Sequence, residues 1–151
     1  MPLNRDQSGF TLLEVLVAIV VLSLGLLGLA GLQAATLRNN QIAYYRAIAV
    51  QQTYDMADRI RANQAGATAG AYNALTAIIP TDPDCVANTC SSADMAVADH
   101  SQWNNNNARM LPAGTGTVVA VAGGSFDITI NWNENTEAGS TGQQFVTRVV
   151  P

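Results

Sequence analysis

Between residues 10 and 37 the only charged side chain is Glu14, and the rest of that run is almost entirely apolar. At about 1.5 Å per residue, the central part of such a helix crosses a hydrocarbon core of roughly 30 Å. A carboxylate at mid-membrane costs roughly 2.5–3.5 kcal/mol on insertion scales, so Glu14 calls for a positive partner. The segment is therefore expected to span a membrane once and to use its single acid for something other than insertion.

The flanks sharpen this. A secretory signal has a shorter apolar core, with small residues at a cleavage site on its far side. Here the small residue, Gly9, precedes the run. The leader ahead of it is polar and carries Arg5 beside Asp6, so the positive-inside argument for a cytoplasmic amino terminus rests on one arginine. The whole chain of 151 residues suffices for one modest head domain plus the membrane segment. Eleven acids against seven arginines and no lysine give a formal charge of −4, with no basic cluster to neutralise a run of phosphates. Nucleic acid is thus not expected as a principal ligand, and attachment to a membrane must come from the apolar run.

Met1 to Ser8 as a short polar leader, followed by Gly9, Phe10, Thr11, Leu12, Leu13 and Glu14, resembles the class III signal of type IV pilins and pseudopilins. The likeness continues through Gly25, Gly28, Gly31 and Gln33, then Asn39-Asn40, Ala43-Tyr44-Tyr45-Arg46 and segment 54–63, where it is similar to the PilV minor pilins in particular. It is looser through Trp103, Leu111-Pro112 and 114–118. The resemblance implies a prepilin peptidase that cuts between Gly9 and Phe10 and methylates the new amine on Phe10. It implies a structural protein, without cofactor, inserted in the bacterial inner membrane with its head in the periplasm. Its partners would be the peptidase, the major pilin, other minor pilins and the inner-membrane assembly platform. Initiation or the tip of an extracellular pilus, with twitching motility, adhesion or DNA uptake downstream, enters by the same likeness. A pseudopilin of a type II secretion machine is the nearest alternative. An uncleaved, membrane-anchored periplasmic binding protein is a second, and it needs neither Gly9 nor Glu14.

Cleavage after Gly9 would create an amine at Phe10, four residues before Glu14 and within one helical turn of it. In a filament Glu14 could instead meet the Phe10 amine of a neighbouring subunit, a pair that strengthens in low dielectric and sets axial register. Glu14 is also placed where a helix amino terminus favours an acid by itself. A backbone without a side chain at Gly9 leaves the scissile bond unhindered. Gly25, Gly28 and Gly31 each lower helix propensity by about 1 kcal/mol relative to alanine, so this stretch is expected to be the softest part of the helix. The resembled family loses helix there on entering the filament.

The chain divides into a cleaved leader (1–9), a transmembrane and assembly half of a helix (10–37) and a head (38–151) that includes the helix's second half. Ile42, Tyr45, Ala49, Thr53, Met56 and Ile60 are spaced to share one face, which predicts packing against a sheet. Asp55 with Arg59 and Asp58 with Arg61 read as solvated helix supports. No proline interrupts 10–63, so one helix of about 80 Å is expected, ended by Gly66 and Gly70. Residues 66–112 read as loops with one helix over 93–107. Strands are expected over 117–121, 126–132 and 144–150, with Gly123-Gly124 as a hairpin turn and an acidic exposed connection from 133 to 142. The fold class is α+β: a long N-terminal helix with a small C-terminal antiparallel sheet.

Cys85 and Cys90 are the only cysteines, and outside the cytoplasm a disulfide between them is favoured over metal ligation. Ser91 or Ser101, His100 and Asp99 could be assembled into a hydrolytic set, yet no nucleophile elbow frames them, so no enzyme is expected. His100 reads as a surface residue, and Trp103 and Trp132 as core.

Overall fold

The computed structural model describes residues 9–134 and 142–151; the leader up to Ser8 and the acidic connection at 135–141 lie outside the described residues. Seven elements follow in order: α1 (Leu12–Ala62), α2 (Gln64–Thr68), β1 (Ala74–Leu75), α3 (Ser92–Met110), β2 (Thr115–Val121), β3 (Ser125–Asn133) and β4 (Gly142–Val149). By internal contacts the chain separates into a unit ending at Gln41 and a unit beginning at Ile42, and α1 contributes to both.

In the first unit α1 is helical and exposed throughout, as 0 % burial of its apolar window records. That window is long and apolar enough to cross a membrane, by length and composition. Its few hydroxyls find partners within the helix. Ser23 donates to the Val20 carbonyl (2.8 Å) and Thr36 to the Leu32 carbonyl (2.9 Å), so neither offers an unsatisfied donor to apolar surroundings.

In the second unit the expected helical face is the buried one. Ala49, Thr53, Met56 and Ile60 are fully inaccessible, and Ile42 and Tyr45 are half-buried. They join a core with Trp103 of α3 and Val118, Ile128, Ile130 and Trp132 of the sheet. The sheet is an antiparallel meander in the order β1-β2-β3-β4. Along β3, Phe126, Ile128, Ile130 and Trp132 are buried while Asp127, Thr129, Asn131 and Asn133 are partly exposed, the period-two alternation of a one-sided strand. Gly123 and Gly124 turn the β2–β3 hairpin at φ +85° and +73°, a conformation that costs glycine nothing. β1 is an addition to the three expected strands.

The helix ends differently from expectation. α1 stops at Ala62, before Gly66, because Asn63 leaves helical geometry (φ −110°, ψ 60°) and caps α2, its Oδ1 accepting from the Gly66 amide at 3.1 Å. The Asn63 amide group also donates to Ser92 O (2.7 Å) and Tyr72 Oη (3.0 Å). Gly70 then ends α2 at φ +85°. α3 is longer than 93–107 at both ends. A capping box joins Ser91 and Asp94 at its start, and Leu111 takes an extended conformation ahead of Pro112. The Ser91 hydroxyl and amide hold the exposed Asp94 carboxyl below its usual range.

Trp103 organises the centre. Its ring is fully buried and its Nε1 donates to the Gln52 carbonyl of α1 at 2.9 Å, so a single side chain fills the core and satisfies its own polar atom. Next to it Asn104 acts as a polar clamp: Oδ1 accepts from Gly116 N (2.6 Å), while Nδ2 donates to Gly116 O (3.0 Å) and Thr76 O (3.1 Å). A Cβ at Gly116 would collide with Trp103 Cη2 and Cζ3. Gly116→Ala is therefore expected to lower stability by about 1–3 kcal/mol, the range for overpacking a filled core. Urea denaturation of the full chain followed by tryptophan fluorescence checks it; an unchanged midpoint would contradict the packing described.

Candidate assembly and anchoring site

Gly9, Phe10 and Thr11 precede the first helical residue, Leu12. Thr11 occupies the capping position: the Glu14 amide donates to the Thr11 carbonyl (3.1 Å) and to Thr11 Oγ1 (3.3 Å), and the Val15 amide donates to the same carbonyl (3.3 Å). Glu14 thus stands in the first turn, where the helix dipole favours a carboxylate. Phe10 is 83 % exposed. Phe10 and Glu14 line a shallow depression with Val15, Ala18, Ile19 and Leu22, so the two residues face a common space on one side of the helix.

The glycines are informative because the fold does not need them. A Cβ built at Gly9 meets nothing within 4 Å, and the same holds at Gly25, Gly28 and Gly31. None of these four has the positive φ that reserves a position for glycine. The helix runs unbroken through Gly25, Gly28 and Gly31.

The sequence model of the prokaryotic N-terminal methylation motif matches residues 4–30, and that of the type IV pilin Tt1218 matches residues 31–101. The chain is type IV pilin-like. No curated protein and no solved structure gives a significant match. The two matched segments adjoin at residue 30, within α1, and the second continues through α2 and β1 into α3. Type IV pilins are a structural family, and the first segment of this chain is an apolar helix long enough to cross a membrane.

The head of this pilin-like protein holds a polar cluster that sequence reasoning missed. Arg59 Nε donates to Asp55 (3.0 Å), and its Nη1 reaches Asp99 (3.0 Å) and Gln102 (3.3 Å). The other Asp99 oxygen accepts from the buried Tyr72 hydroxyl at 2.5 Å. Arg59 is therefore no simple solvated support: it ties α1 to α3, whereas Asp58–Arg61 is the exposed pair expected. Burial lowers the Arg59 pKa, but hydrogen bonds and charge from Asp55 and Asp99 outweigh it and the net shift is upward. No spacing rule could find this cluster, since its members lie 27 and 40 residues apart.

Asp99 of the considered hydrolytic set belongs to this cluster. Both Asp99 oxygens are engaged by Tyr72 and Arg59. His100, expected at the surface, is 8 % exposed, with Nε2 2.7 Å from the Thr76 carbonyl. A carbonyl only accepts, so that nitrogen carries the proton and is unavailable as a base. Cys85 and Cys90 are joined in a disulfide that closes directly onto Ser91, the cap of α3, and so takes both thiols out of metal ligation.

Burial, and then the hydrogen bond to Asp99, hold the Tyr72 phenol protonated above its ordinary pKa of 10.0. A folded-state pKa above the unfolded one means that the stabilisation is complete below about pH 10 and is lost as pH rises toward the folded value. Stability of the full chain is expected to fall above pH 10, and Tyr72→Phe to flatten that fall while costing about 1–3 kcal/mol at pH 7. Urea midpoints across pH 7 to 11 for both proteins check this; parallel profiles would contradict it.

Proposed function

We propose that this chain is a minor pilin of the PilV kind in a type IV pilus, cut after Gly9, methylated on Phe10, and built into the filament through α1. The observation that carries the reading is the six-residue signal from Gly9 to Glu14 at the start of an apolar helix with no cover of its own. In it Gly9 answers no packing need, which is what a residue selected for an external protease looks like. The methylated amine would lie within a turn of Glu14 and be available to that residue on a neighbouring subunit. The pair is worth most in the low-dielectric interior of a filament and there sets the axial step between subunits. Gly25, Gly28 and Gly31 would let the helix loosen locally as the subunit leaves lipid, at a propensity cost of about 1 kcal/mol each.

The head then faces the periplasm, where the Cys85–Cys90 disulfide persists, and the finished subunit lies outside the cell. A role in initiating or tipping the pilus, alongside the major pilin and other minor pilins on the inner-membrane platform, follows from the resemblance of segment 54–63 and of Asn39-Asn40. A type II secretion pseudopilin shares the amino-terminal signal and is the second reading; the same two segments favour the pilus. Recovery of the protein in sheared pili, and normal secretion in its absence, would separate the two.

Gly9→Val is expected to leave the protein inserted, unprocessed and absent from pili. Glu14→Leu is expected to insert and be processed, yet to enter pili at a level lower by about tenfold or more, because breaking a buried ion pair costs about 3–5 kcal/mol. Immunoblots of membrane and sheared-pilus fractions measure both. Normal processing of the first variant, or full incorporation of the second, would sink the corresponding assignment.

A further inference from the structure

The last residue of α3 meets the head half of α1 through an unequal hydrogen bond. Gln52 is 5 % exposed, and its Nε2 donates to the thioether of Met110 at 3.3 Å. Among the described residues that sulfur is the only partner of Nε2, and Oε1 has none. A thioether is a weak acceptor, so the buried amide recovers little of what it lost in leaving water. A leucine of similar size would fill the same place without that cost. Nor can the backbone carry the side chain elsewhere, since the Gln52 carbonyl holds Trp103 Nε1 at 2.9 Å.

The sulfur end of this bond is chemically alterable. Met110 is 38 % exposed, so a small oxidant can reach one sulfur lone pair while Gln52 occupies the other. Attack of the free lone pair on hydrogen peroxide forms the S–O bond and breaks the O–O bond. The sulfur gives up two electrons, and the departing hydroxide takes the proton of the transferred oxygen and leaves as water. A sulfoxide is polar, and where it meets packed side chains without a donor it disrupts them. Here the donor is already in place. Methionine has three rotatable side-chain bonds, so rotation about the terminal ones brings the new oxygen to Gln52 Nε2 and exchanges a weak acceptor for a strong one. Two other methionines mark the contrast. Met56 is inaccessible, and Met95, 39 % exposed, has no donor on its sulfur among the described residues.

We propose that Met110 is a sulfoxidation site of the head and that Gln52 receives the sulfoxide oxygen, so that oxidation by a peroxide tightens the contact between α1 and α3 instead of loosening it. The buried glutamine, poorly satisfied beside a thioether, is well satisfied beside a sulfoxide. A subunit outside the cytoplasm meets peroxides directly, and such a site takes up one oxygen atom without loss of the fold. The inference goes beyond the pilin reading and does not depend on it.

Hydrogen peroxide acting on the full chain in detergent micelles, with Met95→Leu as background, tests this. Peptide mass spectrometry is expected to find one added oxygen on Met110 and none on Met56 at the same exposure. The urea midpoint is then expected to stay the same or to rise on oxidation. In Gln52→Leu the same oxidation leaves the oxygen without a donor, and the midpoint is expected to drop by about 0.5 M or more. NMR of the Gln52 side-chain amide reads the contact without altering that residue: its proton resonances are expected to move downfield on oxidation while those of the exposed Gln51 stay. Should Gln52→Leu fail to fold, this second measurement decides. An equal drop in both proteins, or an unmoved Gln52 amide in the oxidised chain, would overturn the inference. So would a Met110 that resists peroxide as Met56 does. Processing at Gly9 enters none of these readouts, so failure here leaves the pilin reading standing.

Discussion

A helix that shows carbon on every side is stable only where something other than water surrounds it, and only because its backbone polar groups are satisfied along its own axis. α1 comes near that condition through residues 12–37, down to hydroxyls that fold back onto preceding carbonyls. The one charged side chain between residues 12 and 37 is Glu14, held in the first turn beside Phe10. The proposed processing supplies what Glu14 lacks, a cation created four residues away. The same backbone ladder continues into the head, where only one face of α1 is apolar and that face is buried. One element thereby serves two solvents by changing its side chains rather than its conformation.

The head converts α1 into a platform through polar as well as apolar contacts. Trp103 gives its indole proton to a carbonyl of α1, Asn104 clamps the start of β2, and Asp99 draws Arg59 and Tyr72 together from two other segments. Each buried polar atom named here has a partner, which makes the cluster cohesive and makes removal of any member costly. The result is a sheet firmly seated along its middle strands.

The periodic features were legible in the sequence. Spacings of three and four place Ala49, Thr53, Met56 and Ile60 on one face, and the alternation of β3 separates its buried from its exposed residues. What escaped had no period to reveal it. β1 is two residues long. The break at Asn63 involves neither glycine nor proline at that position; it arises because the Asn63 side chain finds Ser92 O and Tyr72 Oη across the fold. His100 looked solvated within a polar stretch, and its burial depends on a main-chain carbonyl 24 residues away. The signal from Gly9 to Glu14 was readable as a motif, and the structure adds that Gly9 has open space around it. In the proposed assembly the partner of Glu14 belongs to a neighbouring subunit, which one chain's sequence does not contain.

The central claim is that the mature protein begins with a charged, methylated Phe10 one turn from Glu14. Mass spectrometry of the amino-terminal peptide, from protein recovered from cells of its native type, reads this directly. N-methylphenylalanine at position 10, with the first nine residues gone, is expected; a mature chain still beginning at Met1 would overturn the proposed processing.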